Sequence, residues 1–237
     1  TFMRAGDETV MARQAFVVYN LVVQATGGKA KAVALRDYTH DLAAIGDAIT
    51  PQTKLVLLAN PNNPTGTIYR REEWERFLDK ISRDVLLLVD EAYFEYVEDA
   101  GYPNSLEYHA ADRAILTLRT FSKLYGLAGL RIGYGVGAKE LIAMMQRVRQ
   151  PFNVNAPAQW AALAALDDVE HVRRSLAVNR QGIDYLQKEF TRLGLEFVPT
   201  CANFILVRVG KGQEVFNRLL RQGVIVEQAP PHGRPAG

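Results

Sequence analysis

Cysteine is nearly absent from this chain. Cys201 is the only one in 237 residues, so no internal disulfide can form and no cysteine cluster can ligate a metal. An excess of either charge is missing too: 28 basic residues stand against 26 acidic ones, a net +2 spread along the chain, with no basic tract to follow a nucleic-acid backbone. No apolar run approaches the length needed to span a bilayer, and the opening TFMRAGDE is charged too early for a secretory signal. Internal repeats and low-complexity segments are likewise lacking. These absences set aside secreted disulfide scaffolds, nucleic-acid binding and membrane insertion, and a cytoplasmic protein is expected. The 48% apolar content is enough for a substantial core, in one large or two modest domains.

Strand and helix patterns alternate through the first two thirds. Residues 15–26 (AFVVYNLVVQAT) read as a helix stopped by Gly27 and Gly28, and 31–35 as a short strand. Helices are expected at 41–49 and 71–81, and strands at 54–59 (KLVLLA), 85–89 (VLLLV), 113–118 (RAILTL) and 131–136. Strands apolar on both sides, alternating with helices, predict an α/β fold in three layers: a mostly parallel or mixed sheet covered on both faces. Helical patterns follow at 139–149, 159–166 and 169–193. Short strands at 196–198, 204–207 and 224–226 surround a helix at 214–222, which is an α+β arrangement. A domain change is therefore expected near residue 165, giving a 1–165 large domain and a smaller 166–237 domain.

Three loops carry chemistry, and each follows a strand. The segment 120–135 (TFSKLYGLAGLRIGYG) holds Lys123 in a small-residue loop between two strands, not on an amphipathic surface helix. Thr120 and Ser122 offer hydroxyls before it, Arg131 offers a forked cation eight residues after it, and Gly126 and Gly129 allow close backbone approach. That set suits a phosphate held beside a reactive amine. VLLLV runs into Asp90-Glu91-Ala92-Tyr93, and KLVLLA runs into Asn60-Pro61-Asn62-Asn63-Pro64-Thr65-Gly66. In open α/β sheets ligands lie at the carboxyl ends of the strands, where Asp90 would be partly desolvated and an asparagine before a proline, Asn60 or Asn63, would be held extended with its amide aimed at a ligand. Taken singly, the lysine reads as solvated, the aspartate as a cap or ion-pair partner, and the asparagine loop as an ordinary turn. Their occurrence together on one sheet edge points to a site.

NPNNPTG, DEAY and TFSKLYGLAGLRIGYG, in this order and separation, resemble the fold type I pyridoxal-phosphate aminotransferases. PFNVN at 151–155 and ANFILVR from Ala202 narrow the resemblance to the histidinol-phosphate aminotransferases, over residues 1 to about 226. The resemblance implies pyridoxal 5'-phosphate as cofactor, with Lys123 forming the Schiff base and later shuttling a proton. It implies that Asp90 holds the protonated pyridine nitrogen, and that Asn63 and Tyr93 hydrogen-bond the ring oxygen. By the same carry-over Thr120, Ser122 and Arg131 bind the cofactor phosphate, and Phe16 stacks on the ring; on sequence grounds alone Phe16 reads equally well as a core aromatic. The implied reaction moves an amino group from L-histidinol phosphate to 2-oxoglutarate, giving glutamate, in histidine biosynthesis and in a homodimer.

The chain departs from the family pattern at both ends. It opens at a point that lies inside the large domain of relatives, without the phosphate-holding small-residue loop or the tyrosine given to the neighbouring subunit. Its last stretch, EQAPPHGRPAG, lacks the strand bearing the arginine for the substrate's acidic group; Arg234 is not assigned that role, and Pro230, Pro231 and Pro235 suggest a disordered end. Three other readings remain: an aromatic aminotransferase, an amino-acid-phosphate decarboxylase, and a catalytically inactive truncated homologue.

Overall fold

The computed structural model describes residues 2–109 and 113–229. The elements run in the order β1 (Glu8–Ala12), α1 (Val18–Ala25), β2 (Lys29–Val33), α2 (Leu42–Asp47), β3 (Thr53–Ala59), α3 (Arg71–Lys80), β4 (Leu86–Asp90), β5 (Ile115–Thr120), β6 (Gly133–Gly137), α4 (Lys139–Gln146), α5 (Ala156–Asp167), α6 (Val169–Arg192), β7 (Glu196–Val198), β8 (Leu206–Arg208) and α7 (Gly212–Arg221). Six strands form one sheet in the order β2-β1-β3-β4-β5-β6, and β7 pairs with β8 in a second. All neighbours from β2 to β5 are parallel, whereas β6 runs antiparallel at the edge. This is the α/β fold with a mostly parallel central sheet expected from the pattern, accompanied by a small α+β portion.

Burial explains the long apolar runs. Val56, Leu58, Leu87 and Val89 face one side of the sheet and pack with Tyr69, Trp74, Phe77 and Leu78 beneath α3 and its approach. Met11, Leu57 and Ala59 face the other side and pack with Tyr19 and Val23 of α1. Strands covered on both faces need no polar alternation, so KLVLLA and VLLLV read as continuous apolar segments. Helix α3 forms because Trp74, Phe77 and Leu78 recur at helical spacing, while Glu73 Oε2 accepts from the Arg70 backbone N–H at 3.0 Å and closes its first turn.

The structure departs from the sequence reading in several places, and the strands expected at 113–118, 131–136 and 204–207 each begin two residues later. Glu8–Ala12, where no element was expected, is an interior strand between β2 and β3, although ETVMA has too little length and too mixed a composition to stand out. Residues 224–226 form no strand; Ile225 is 83% exposed and the segment has no ladder partner among the described residues. A β-branched run supplies the propensity for a strand, but only a neighbour supplies its hydrogen bonds. The 31–35 strand lies two residues earlier, because its register is set by pairing of Lys29 through Val33 with Glu8 through Ala12. Arg234 and the three tail prolines lie outside the described residues.

Candidate active site

Parallel strands end at a common edge, and that geometry gathers the three loops. β3 delivers Asn60 through Gly66, β4 ends at Asp90, and β5 ends at Thr120, three residues before Lys123. Together with the start of α1 they enclose a small cavity lined by Phe16, Tyr19, Asn63, Asp90, Tyr93 and Lys123. Five of the residues singled out by sequence, Phe16, Asn63, Asp90, Tyr93 and Lys123, are thus brought together. Thr120, Ser122 and Arg131 belong to the same lysine loop but do not line that cavity.

Asp90 forms the cavity's acidic floor. Its Oδ2 accepts from Tyr19 Oη at 2.6 Å and its Oδ1 from the Ala92 backbone N–H at 3.0 Å. Burial raises its carboxyl above the ordinary aspartate range, while those two hydrogen bonds and the charge of Lys123 pull it back down. No arginine or lysine forms an ion pair with Asp90 among the described residues, so neither a helix cap nor a salt bridge accounts for it. Tyr19 is held neutral: burial first, then the Asp90 charge, pushes its phenol well above the usual tyrosine value. Sequence reasoning missed Tyr19, since a tyrosine three residues after Phe16 in an apolar helix reads as core.

Tyr93 is buried and polarised from two directions. Asn63 Nδ2 donates to its hydroxyl at 3.3 Å, and Lys123 Nζ lies 5.1 Å from its ring centroid. The ammonium makes no ion pair among the described residues and is solvent-exposed. Phe16 is 42% exposed and meets Tyr19 edge-on at 5.8 Å, which leaves the Phe16 ring open to the cavity. At the loop's far end, Arg131 adopts a left-handed backbone (φ 57°), a strained conformation for a non-glycine residue. Its guanidinium donates to Ala128 O at 2.6 Å, and no described carboxylate pairs with it. Thr120 Oγ1 accepts from Ser122 N at 3.0 Å, which folds the strand end into the lysine loop.

Behind the cavity, buried polar groups fix the loops. Glu91 is fully buried; its Oε2 accepts from Arg119 Nε at 2.9 Å and Nη2 at 2.7 Å, and its Oε1 from Ser105 N at 2.9 Å. Arg119 also lies 3.6 Å over the Phe94 ring. Asn62 faces away from the cavity, donating to Gln14 O at 3.0 Å and to Thr65 Oγ1 at 2.9 Å, while its Oδ1 lies 3.1 Å from His40 Nε2. The two adjacent asparagines thus have different duties, one facing the cavity and one tying its wall.

A family model described as "Aminotransferase class I and II" matches residues 1–235. The chain is 52% identical over 228 residues to a histidinol-phosphate aminotransferase of Moorella thermoacetica, spanning 95% of this chain and 59% of that protein. It is 47% identical over 234 residues to histidinol-phosphate aminotransferase 2 of Ralstonia nicotianae, spanning 97% of this chain and 63% of the relative. The chain therefore spans about three fifths of the length of these curated relatives. Among solved structures it resembles a histidinol-phosphate aminotransferase from Sinorhizobium meliloti in complex with pyridoxal-5'-phosphate, with a TM-score of 0.91 at 27% identity, covering 98% of this chain and 64% of that one. It also resembles a Thermus thermophilus aspartate aminotransferase with maleate, with a TM-score of 0.82 at 29% identity, covering 97% of this chain and 63% of that one. A central sheet whose parallel strands present a lysine, an aspartate and an asparagine at one edge, matched nearly end to end by a single family description, places the chain: it belongs to the class I and II aminotransferases and has their fold type I architecture.

Proposed function

We propose that this chain forms the central part of a pyridoxal-phosphate-dependent aminotransferase that moves an amino group from L-histidinol phosphate to 2-oxoglutarate, yielding glutamate, in histidine biosynthesis. The observation that carries the cofactor is Asp90, a half-buried carboxylate that forms no ion pair among the described residues, in the same cavity as an exposed amine that likewise forms none among them. A partly desolvated acid of this kind is matched by a cationic ring N–H, and pyridoxal phosphate has both that group and a carbonyl able to react with Lys123. The substrate is supported by the relatives of 47–52% identity named as histidinol-phosphate aminotransferases. The further partners proposed are small molecules and a second copy of the chain in a cytoplasmic homodimer. The division into a 1–165 and a 166–237 unit is proposed on the separate sheets that the two stretches build.

In this reading Lys123, Asp90, Asn63, Tyr93, Thr120, Ser122, Arg131 and Phe16 hold the cofactor. Bound there, pyridoxal phosphate supplies an electron sink for the pair left when the substrate's carbon loses its proton. Asp90 would hold the ring nitrogen, with Tyr19 orienting the carboxylate by donating to Oδ2. Asn63 donates to Tyr93 Oη and thereby directs the phenol's own proton into the cavity. Phe16 offers its ring face and excludes water, while Thr120, Ser122 and Arg131 hold the phosphate. Lys123 Nζ would hold the cofactor and, as a free amine, would accept and return a proton at that atom.

The test combines cofactor loading with borohydride reduction and peptide mapping of the product. Label on Lys123, lost in Lys123→Ala with the unfolding midpoint retained, is the expected result. A folded, unlabelled parent chain would end the proposal. Asp90→Asn is expected to keep some cofactor and lose about 10²-fold or more in turnover, the scale of a proton-transfer contribution.

A further inference from the structure

We infer that Phe204, on the small α+β portion, is a positioning residue for Tyr93, so that a segment outside the central sheet sets the geometry of the site. The inference rests on the reading above, in which Tyr93 faces the cofactor.

Three contacts converge on this conclusion. The Phe204 ring meets the Tyr93 ring edge-to-face, with centroids 5.1 Å apart and planes at 80°. One face of the same tyrosine carries Lys123 Nζ at 5.1 Å, and its hydroxyl receives Asn63 Nδ2 at 3.3 Å. Tyr93 Oη lies on the Cβ–Cγ axis, so the first side-chain torsion places it, and an edge-to-face partner packed against the ring restricts that swing. Without Phe204 the ring loses that lateral restraint, and the Asn63 hydrogen bond, already long at 3.3 Å, is the contact most sensitive to its loss.

Phe204 is in turn held by the segment before it. Cys201 N donates to Gly66 O at 2.7 Å, which joins residues 200–204 directly to the loop that carries Asn63. The approach is so close that a Cβ on Gly66, whose φ is +72°, would stand 2.0 Å from Thr200 Oγ1. Asn179 Nδ2 donates to Ala202 O at 3.5 Å, anchoring the other side to α6. The segment therefore contacts the loop that bears the donor of the Asn63–Tyr93 hydrogen bond, through Gly66, and the ring that bears its acceptor, through Phe204. It registers the two loops against each other from outside the sheet that bears them.

The distinguishing experiment is a double-mutant cycle read as the dissociation constant for pyridoxal 5'-phosphate, measured by absorbance titration alongside urea unfolding of each protein without cofactor. Phe204→Leu keeps an apolar side chain and removes the ring. It is expected to weaken binding about 10-fold in the parent and less than about twofold in Tyr93→Phe, where no hydroxyl remains to be aimed. Phe204→Tyr, which restores a ring, is expected to recover binding to within about twofold. Equal losses in both backgrounds would show that Phe204 acts by general packing and overturn the inference, as would unaltered binding in Phe204→Leu. A parent chain that binds no cofactor overturns the underlying reading and the inference with it, an outcome distinct from a parent that binds normally and shows an additive cycle.

Discussion

His40 shows how much a single buried residue can decide. It is 2% exposed, and its Nε2 lies 3.1 Å from Asn62 Oδ1. Because Asn62 Nδ2 is committed to Gln14 O and Thr65 Oγ1, the facing atom is the carbonyl oxygen, and His40 must bring the proton on Nε2. Its Nδ1 is then a bare acceptor with no partner among the described groups. Burial depresses the imidazole from 6.5 to about 4, against a smaller upward pull from Asn62. The unfolded chain thus binds a proton below pH 6.5 that the folded chain refuses until about pH 4, so stability falls as pH drops through that window. A shift of this size corresponds to about 3 kcal/mol. Urea midpoints at pH 7 and 4.5 are expected to separate more for the parent than for His40→Gln, which has no such titration. Parallel losses in the two proteins would exclude His40 as the source.

At the scale of elements, the clamp between Glu91 and Arg119 joins the end of β4 to the end of β5, the two strands that deliver Asp90 and Lys123. The carboxylate is fully buried and the arginine side chain only 10% exposed, so removing either leaves an uncompensated charge in the interior. Arg119→Ala is expected to cost about 3 kcal/mol or more in urea unfolding. Arg119→Lys should recover only part, because two N–H groups converge on Oε2 and a lysine cannot reproduce that fork. A change below about 0.5 kcal/mol in Arg119→Ala would mean the pair is not sealed from water. The clamp also illustrates what was legible in the sequence. The strand runs and the loops after them could be read because each signal is local: VLLLV is apolar on both sides, and Asp90 follows it directly. β1 was hidden because its five residues are interior to the sheet only by virtue of neighbours 21 or more positions away, as in the pairing of Glu8 with Lys29. The 224–226 run shows the converse, a local preference with no partner to satisfy it. Within the site, Lys123, Asp90, Asn63 and Tyr93 were visible as motifs, whereas Tyr19 reaches Asp90 across 71 positions and Arg119 reaches Glu91 across 28. Such pairs exist only once the sheet has formed.

The molecule as a whole leaves a large apolar surface bare. Trp160, Leu163 and Leu166 of α5 recur at three-residue spacing on one side of the helix and are 74%, 59% and 53% exposed. Phe152, just before this helix, is 99% exposed in a left-handed backbone conformation. Monomeric proteins rarely show contiguous apolar patches beyond a few hundred Å², and removing such area from water contributes about 25 cal/mol per Å². A second copy is the occupant in the proposed homodimer, and this surface is where association is expected to concentrate. The variant Trp160→Lys with Leu163→Glu replaces the centre of the patch by opposite charges one helical turn apart, which solvate it without altering net charge. Sedimentation velocity over a concentration series is expected to show reversible association of the parent chain and a dissociation constant raised 10-fold or more by the double change. Since both side chains are exposed, the unfolding free energy of the separated chain should move by no more than about 0.5 kcal/mol. If the variant associates as strongly as the parent, the helix face is not the seam. If instead association falls only in step with a collapse in stability, the two residues belong to the fold and not to the contact.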